Sequence, residues 1–230
     1  MVSKQQLNQI ASYVRDFLYE SAEKSDQEWL EDFPRAADHR WQHTLNVVAN
    51  AEAILAGEQA SPTQVAAVRV ASLMHDVSMF VCDHSIHGQV SADMASEYLL
   101  DMQLDEDFVS RVSQAIAEHG TSFGDLPPQE QGEQFTWEGK VLVEADILDK
   151  LGASTVANGL MYLGKQEKLN FEARQELREG PTFERAEFFK DYFWTDTGKQ
   201  MAERRLSFFL EFLDRLEEEV VEYDMPAWSN

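Results

Sequence analysis

The sequence predicts an all-α protein. Apolar residues recur at spacings of three and four along almost the whole chain, and no stretch alternates with a period of two as a half-buried strand does. Small polar residues, proline and glycine stand where such helices are expected to begin and end. The 230 residues are 43% hydrophobic and 27% charged, a composition typical of globular proteins. We therefore expect one helical domain over residues 1–230.

Five helices are predicted in the first half of the chain. Their expected ranges are 4–21, 41–55, a third helix from Ser61-Pro62-Thr63 onward, 88–101 and 105–119. The third helix is apolar on most sides, so we expect it at the centre of the bundle. The second is expected to end at Gly57, because glycine suits a helix C-terminus. Its predicted inward face consists of Leu45, Val48, Ala49 and Ile54. Residues 25–34 are expected to form a connector or a single turn.

The second half is predicted to open with a loop over residues 120–137. Glycines and prolines interrupt the helical pattern there, and the segment directly follows His119, so we expect it to influence substrate specificity. Helices are then expected at 139–151 and onward to about residue 162. A long final helix is predicted from Thr197 to about Tyr223. Its apolar positions are Met201, Leu206, Phe209, Leu213, Leu216 and Val220.

The charge of the chain excludes several classes of partner. Against 19 lysines and arginines stand 42 acidic residues, a formal net charge of −23. Binding to a nucleic acid polymer or to an anionic membrane surface requires clustered positive charge, so neither is expected. The sequence also lacks an apolar run of transmembrane length and a signal peptide. Since the single cysteine, Cys82, cannot form an intrachain disulfide, we expect a cytoplasmic protein. The oligomeric state is left open.

The six histidines lie close together in the sequence, between His39 and His119. His75-Asp76 stands at the end of the most apolar helix, where an unsatisfied polar group is costly. His39 and His43 are four residues apart and so share a helix face. The other candidates are His84, His87, Glu144, Asp146 and Asp149. Helical proteins build metal sites from such side chains on facing helices, while an internal His–Asp hydrogen bond explains His75-Asp76 equally well at this point.

The order of these residues resembles a known family. His43, then His75-Asp76, then Asp146 resembles the H…HD…D signature of the HD-domain metal-dependent phosphohydrolase superfamily. Around them, HRWQHTLNV is similar to the family's HDxxHxxRV opening, VASLMHDV to AALLHDI, HSIHGQVSADMASEYLL to HxxxGAxxAxxIL, and EADILDKLGA to DADRLDALGA. The resemblance covers about residues 35–215. It implies an HD-domain-like helical bundle with a long C-terminal helix, and we expect the helix at 4–21 to pack on it.

The resemblance also implies the chemistry of the site. The expected metal ligands are His43, His75, Asp76 and Asp146. Nitrogen and carboxylate ligands suit one or two divalent cations from the set Mn, Fe, Co, Ni and Mg. The implied reaction is attack of a metal-activated water on a small phosphorylated metabolite, best matched by a nucleotide. Asp76 would therefore be catalytic as well as a ligand.

Further residues receive expected roles by the same resemblance. His84 and His119 match positions that ligate a second metal in two-metal members, or else bond to substrate or to neighbouring carboxylates. Lys150 is the candidate for binding the leaving phosphate, whereas His87 is expected to face solvent. His39 is expected to orient the start of its helix. The candidates to accept a hydrogen bond from a ligand histidine are Glu144 and Asp149.

Three departures from the family pattern concern substrate binding. Asn46 and Ile147 stand where the motifs often carry basic residues, and VSMF after His75-Asp76 lacks the acidic pair of enzymes that hydrolyse guanosine alarmones. Two alternatives to hydrolysis therefore stay open. One is a regulatory protein that binds metal and phosphate without turnover. The other is a di-iron oxygenase of the same superfamily, which would require His84 and His119 in a second metal site.

Overall fold

The computed structural model describes residues 2–27, 30, 33, 35–121 and 126–220. Within these ranges the chain forms helices and no strand, which confirms the predicted all-α class. In this part of the chain, no helix is both long enough and apolar enough to cross a membrane. The contacts group into two compact units, Met1–Asp146 with Tyr192–Lys199, and Ile147–Asp191 with Gln200–Asn230. The expectation of a single domain stays a prediction.

The first unit contains the helices that carry the histidines. They are α1 (Lys4–Lys24), α2 (Ala36–Gly57), α3 (Pro62–Met74), α4 (His87–Asp101), α5 (Glu106–His119), α6 (Pro128–Gln134) and α7 (Trp137–Asp149). The last three residues of α7 belong to the second unit. As predicted, α3 is central: it packs against α1, α2 and α5, and Ala67, Val68 and Val70 on it are fully buried. Ser61 caps its start through Gln64, with proline in the first turn.

Helix α2 differs from its prediction in start and in orientation. It begins five residues earlier than expected, at Ala36. The predicted inward face is confirmed at Ile54, which is fully buried, but wrong at Leu45, which is 40% exposed, and at Ala49, which is exposed. The residues it buries are His43, Thr44, Val47, Asn50, Ala51, Ile54 and Leu55. Asn50 lies on this face because its amide donates to the carbonyl of Ala145, at 2.9 Å. A buried face that includes polar side chains does not show as an apolar stripe.

The prediction of a loop at 120–137 is wrong for its second part, because Pro128–Gln134 form α6. Proline at the start of this helix presets the backbone angle of the first turn. Trp194 holds the helix in place, since its Nε1 donates to the carbonyl of Pro128 at 2.9 Å and a side chain at Gly132 would collide with the indole. Residues 122–125 of the predicted loop, and residues 28, 29, 31, 32 and 34 of the predicted connector, lie outside the described residues.

The second unit consists mainly of later helices. They are α8 (Ala153–Lys165), α9 (Asn170–Glu179), α10 (Pro181–Phe189) and α11 (Asp196–Glu219), the last beginning within the first unit. Sequence reasoning missed α9 and α10, because α9 buries little beyond Ala173 and Leu177 and so carries a weak apolar signal. The final helix buries Phe209 and Leu213 on its predicted face. The part of its prediction beyond Val220 lies outside the described residues.

Candidate metal centre

Asp76 lies at the middle of a cluster of imidazoles in the first unit. It follows His75, the C-cap residue of α3, in the tight turn that separates α3 from α4. The two residues are 5% and 0% exposed. Helices α2, α4, α5 and α7 each bring a histidine or an aspartate towards this turn, so the two oxygens of Asp76 face different partners.

The first donor group comprises His43, His75, Asp146 and the Oδ2 atom of Asp76. His43 Nε2 lies 3.2 Å from Asp146 Oδ1, 3.3 Å from His75 Nε2 and 3.5 Å from Asp76 Oδ2. His75 Nε2 lies 3.4 Å from the same Asp76 oxygen. His75 Nδ1 donates to the carbonyl of Ser72 at 2.9 Å, which directs its Nε2 into the group.

The second donor group comprises His87, His119 and the Oδ1 atom of Asp76. Both imidazoles place Nε2 at 3.4 Å from this oxygen, and their Nε2 atoms are 3.3 Å apart. His119 Nδ1 donates to the carbonyl of Ile116 at 2.9 Å, and His87 Nδ1 to that of His84 at 2.5 Å. In each case a backbone carbonyl holds one ring nitrogen, which leaves the other directed at Asp76.

The geometry of both groups fits a divalent cation. Ligand atoms of His43, His75 and Asp146 lie within 4.8 Å of one another, and so do those of His75, Asp76 and His119, a set that joins the two groups. Neighbouring ligands of a cation that binds at about 2.0–2.6 Å are about 3–4 Å apart, which matches the separations of 3.2–3.5 Å within the two groups. All five of these side chains are buried. Buried imidazoles and carboxylates that converge without a thiolate form the mixed nitrogen and oxygen set that Mn, Fe, Co, Ni and Mg accept.

The electrostatics prepare the ligands for a cation. Burial lowers the pKa of His75 and that of His87, so both rings are neutral at pH 7 and able to ligate. Burial alone would raise the pKa of Asp76. Its interaction with the adjacent His75 ring, the charge of the Arg40 guanidinium and hydrogen bonds from His119 and His75 outweigh this and hold the pKa of Asp76 well below its ordinary value. The carboxylate therefore stays ionised, which is the form that binds metal.

The structure brings together most of the predicted site residues. His43, His75, Asp76 and Asp146 meet in the first donor group and His119 lies in the second. His84 lies outside both: it is exposed, and its ring stacks on that of His87 with centroids 4.6 Å apart. The second histidine beside Asp76 is instead His87. The expectation that His87 faces solvent is wrong, since its side chain is 12% exposed.

Arg40 is a site residue that sequence reasoning missed. It lies on α2 one turn before His43, and its Nη1 donates to Asp76 Oδ2. Its side chain is 22% exposed, so the guanidinium borders the site while part of it reaches solvent. The motif HRWQH contained the signal, because a residue three positions before a buried histidine shares its helix face.

The remaining candidates have other surroundings. His39 is exposed. Glu144 was a candidate to accept a hydrogen bond from a ligand histidine. Its carboxylate instead accepts from the backbone N–H of Trp194 and, at 2.7 Å, from that of Thr195. Its burial raises its pKa. Asp149 and Lys150 belong to the second unit, where Lys150 Nζ lies 5.9 Å from the ring centroid of Phe189. The predicted phosphate-binding role of Lys150 stays a prediction.

Comparison with known proteins finds a family whose match contains this geometry. The HD domain family matches residues 40–151, which contain both donor groups. Over 185 residues the chain is 26% identical to YpgQ of Bacillus subtilis, covering 80% of this chain and 86% of YpgQ.

Solved structures agree with this match. A predicted HD superfamily hydrolase from an uncultured Thermotogales bacterium is 26% identical, with a TM-score of 0.58 over 90% of this chain and 91% of the other. YpgQ in complex with ADP gives a TM-score of 0.61 at 23% identity, covering 94% and 95% of the two chains. An HD-superfamily hydrolase from Bacillus thuringiensis shares the fold with a TM-score of 0.68 at 20% identity, covering 94% and 97%. Residues 40–151 therefore match the HD domain family, and the chain is similar in sequence and in fold to HD-superfamily hydrolases.

Proposed function

We propose that the protein is a metal-dependent phosphohydrolase that acts on a small phosphorylated metabolite, with a nucleotide as the substrate class. The observation that carries the proposal is the convergence of four imidazoles and two carboxylates on one buried turn. A cluster of this composition would cost several kcal/mol of lost hydration if it served only to fill a core. A bound cation offsets that cost and gives the cluster a function.

The residues that would hold the cation follow from the two donor groups. His43, His75, Asp76 and Asp146 are the proposed ligands of one ion, and His87 and His119 with the other oxygen of Asp76 are those of a second. When bound, a divalent cation lowers the pKa of a coordinated water and offsets the negative charge of a phosphoryl group. The proposed reaction is attack of water on phosphorus with cleavage of a P–O bond.

The protein's own residues contribute binding and orientation. Arg40 places a guanidinium beside Asp76. We propose that this guanidinium binds a phosphate oxygen of the substrate, in place of the basic residues that the family motifs often carry at the positions of Asn46 and Ile147. One guanidinium group can donate two parallel hydrogen bonds to a phosphate, and it keeps its charge at every physiological pH. His84, exposed and stacked on His87, is proposed to contact substrate. Lys150 stays the candidate for the leaving phosphate.

A nucleotide is the proposed substrate class because of similarity. YpgQ, which has been solved with ADP, is 26% identical to this chain over most of both sequences. A nucleoside phosphate also combines the features that the site favours: oxygens for a divalent cation and for Arg40. We carry over the nucleotide class and not a particular base or number of phosphates. A cytoplasmic location stays a prediction.

The test combines metal analysis with phosphate release. The purified full-length protein is analysed for bound metals and then assayed for phosphate or pyrophosphate release from a nucleotide panel with Mn²⁺, Mg²⁺, Co²⁺ and Ni²⁺. We expect cation-dependent hydrolysis of at least one nucleotide and loss of both metal and activity in Asp76→Ala. As a matched control, Asp93→Ala removes an aspartate from α4 away from the two donor groups and should change neither.

Each alternative function predicts a different result in the same assays. Full metal content with nucleotide binding but no turnover of any panel member would support a regulatory binding protein. Two bound irons with oxygen consumption would support the oxygenase. Asp76→Ala with unchanged metal and activity would refute the proposed site.

A further inference from the structure

We infer that a backbone clamp, formed by Gly88, Gly120, Ser78 and Ser91, positions the second donor group and thereby determines whether the protein holds one divalent cation or two. The inference rests on the proposed metal site and concerns which residues fix its second half. It goes beyond the ligands themselves, since none of the four clamp residues donates an atom to either group.

The glycine half of the clamp is a direct contact between two backbones. Gly88 directly follows His87 at the start of α4, and Gly120 directly follows His119 at the end of α5. A Cβ atom on Gly88 would lie 2.5 Å from the Cα of Gly120, and a Cβ on Gly120 would lie 2.5 Å from the Cα of Gly88. Carbon atoms not bonded to each other pack at about 3.5–4.0 Å, so neither position accepts a side chain without a backbone shift.

This contact sets the separation of the two imidazoles. Because each glycine is the next residue after a histidine, the distance between the two backbones fixes how closely His87 and His119 approach. Their Nε2 atoms are 3.3 Å apart, and both lie 3.4 Å from Asp76 Oδ1. Ligand distances in a functional metal site must be correct within about 0.2 Å. A methyl group at either glycine would have to push the backbones apart to restore an ordinary carbon–carbon contact. Even part of that shift would exceed the tolerance of the ligand distances.

The serine half of the clamp ties the start of α4 to the turn that carries Asp76. Ser78, two residues after Asp76, donates from Oγ to the carbonyl of His87 at 2.9 Å. Its backbone N–H donates to Ser91 Oγ at 3.2 Å, and the two hydroxyls are 2.9 Å apart. Both serines are fully buried, at 0% exposure. These hydrogen bonds fix the backbone of His87 relative to Asp76, as the glycine contact fixes it relative to His119.

Apart from Asp76, which serves both groups, the first donor group takes no ligand from the two helices that the glycines hold together. His43 comes from α2, His75 from the end of α3 and Asp146 from α7. Changes in the clamp should therefore affect one half of the site and leave the other. This selectivity separates a positioning role from general destabilisation, which would weaken both halves.

The test measures cation stoichiometry and affinity in the full-length protein by calorimetric titration with Mn²⁺, with elemental analysis as a second readout. We expect two ions in the unaltered protein and one ion in Gly88→Ala. In Ser78→Ala we expect the second ion to bind at least about tenfold more weakly and the first to change by less than about twofold. Paramagnetic resonance of the Mn²⁺ protein should show coupling between two ions that these variants lose.

Two control variants match the chemistry of the test variants. Gly57→Ala also places a methyl group where it collides, but against the Thr197 side chain and away from both donor groups. Ser21→Ala also removes a buried hydroxyl that donates to a backbone carbonyl, that of Phe17 at 2.6 Å, but it lies on α1, which contributes to neither donor group. Both controls should keep two ions. If Gly88→Ala does not fold, the comparison of Ser78→Ala with Ser21→Ala decides the question.

The outcomes separate this inference from the proposed function. An unaltered protein that binds no divalent cation overturns the proposed function and the clamp together. An unaltered protein that binds one ion overturns the clamp alone. Retention of both ions at their original affinities in Gly88→Ala and Ser78→Ala also overturns the clamp, and so does equal weakening of both ions.

Discussion

The ion pair between Arg40 and Asp76 should contribute to stability in a way that depends on divalent cations. Asp76 has a side chain that is 6% exposed and Arg40 one that is 22% exposed. Removal of one partner of a fully buried pair costs about 3–5 kcal/mol, because a charge is left buried and uncompensated. Since the guanidinium reaches solvent in part, we expect a smaller cost, about 2 kcal/mol, for Arg40→Met, which keeps the apolar part of the side chain.

A bound cation should reduce this cost, because it offers Asp76 another positive charge. We expect the loss of about 2 kcal/mol in the presence of a chelator to fall to about 1 kcal/mol or less with saturating Mn²⁺. Urea denaturation with and without the cation measures both values. For a chain of this length the larger loss corresponds to a decrease of about 4–8 °C in Tm.

The Arg69–Glu52 pair provides the matched control. It is also an arginine–carboxylate pair in the first unit, but both side chains are 41% exposed and neither belongs to a donor group. Arg69→Met should cost at most about 1 kcal/mol, with the same value in chelator and in Mn²⁺. An equal loss in Arg40→Met under both conditions would refute the reasoning that Arg40 and the cation compensate the same carboxylate.

Three further predictions concern ligands, packing and pH. Asp146→Asn should weaken Mn²⁺ binding at the first donor group by at least about tenfold in calorimetry, while His84→Ala, outside both groups, should leave Mn²⁺ affinity unchanged. Leu18→Ala, fully buried on α1, should cost about 2–5 kcal/mol in urea denaturation, whereas Leu100→Ala, 45% exposed, should cost less than about 1 kcal/mol. In chelator, stability should fall as the pH drops below 6.5, because the unfolded chain then binds protons that His75, with its lowered pKa, does not; constant stability down to pH 5 would contradict this.

The helices were predictable where burial is apolar and caps are explicit. Ser61 and Pro62 mark the start of α3 in the sequence, and the helix that follows is buried along most of its length. On α2 the same reasoning failed, because the inward face carries His43 and Asn50 while Leu45 is exposed. Apolar periodicity reports which side chains avoid water. It cannot report a face that is buried in order to hold ligands and hydrogen bonds.

The first donor group was predictable from motif order, while the second was only partly so. His84 and His87 are three positions apart, and the resemblance favoured His84 as the second-metal ligand. The structure distinguishes them: His84 belongs to a short 3-10 turn and is exposed, while His87 begins α4 and is held by Ser78. Arg40 was missed because its role depends on the distance between α2 and the turn after α3, which is a tertiary property.

The charges of the centre predict the order in which ligands bind. Asp76 and Asp146 carry two formal negative charges and Arg40 one positive charge, so the centre alone is net negative and repels phosphate. Each divalent cation adds two positive charges, which reverses the sign at the site even though the chain as a whole carries −23. A phosphorylated substrate should therefore bind only after a cation. We expect calorimetric titration with ADP to give no measurable heat of binding in chelator, and binding in the low millimolar range or tighter once Mn²⁺ is present. Equal ADP affinity in both conditions would contradict this order, since phosphate recognition would then come from groups other than the two donor groups.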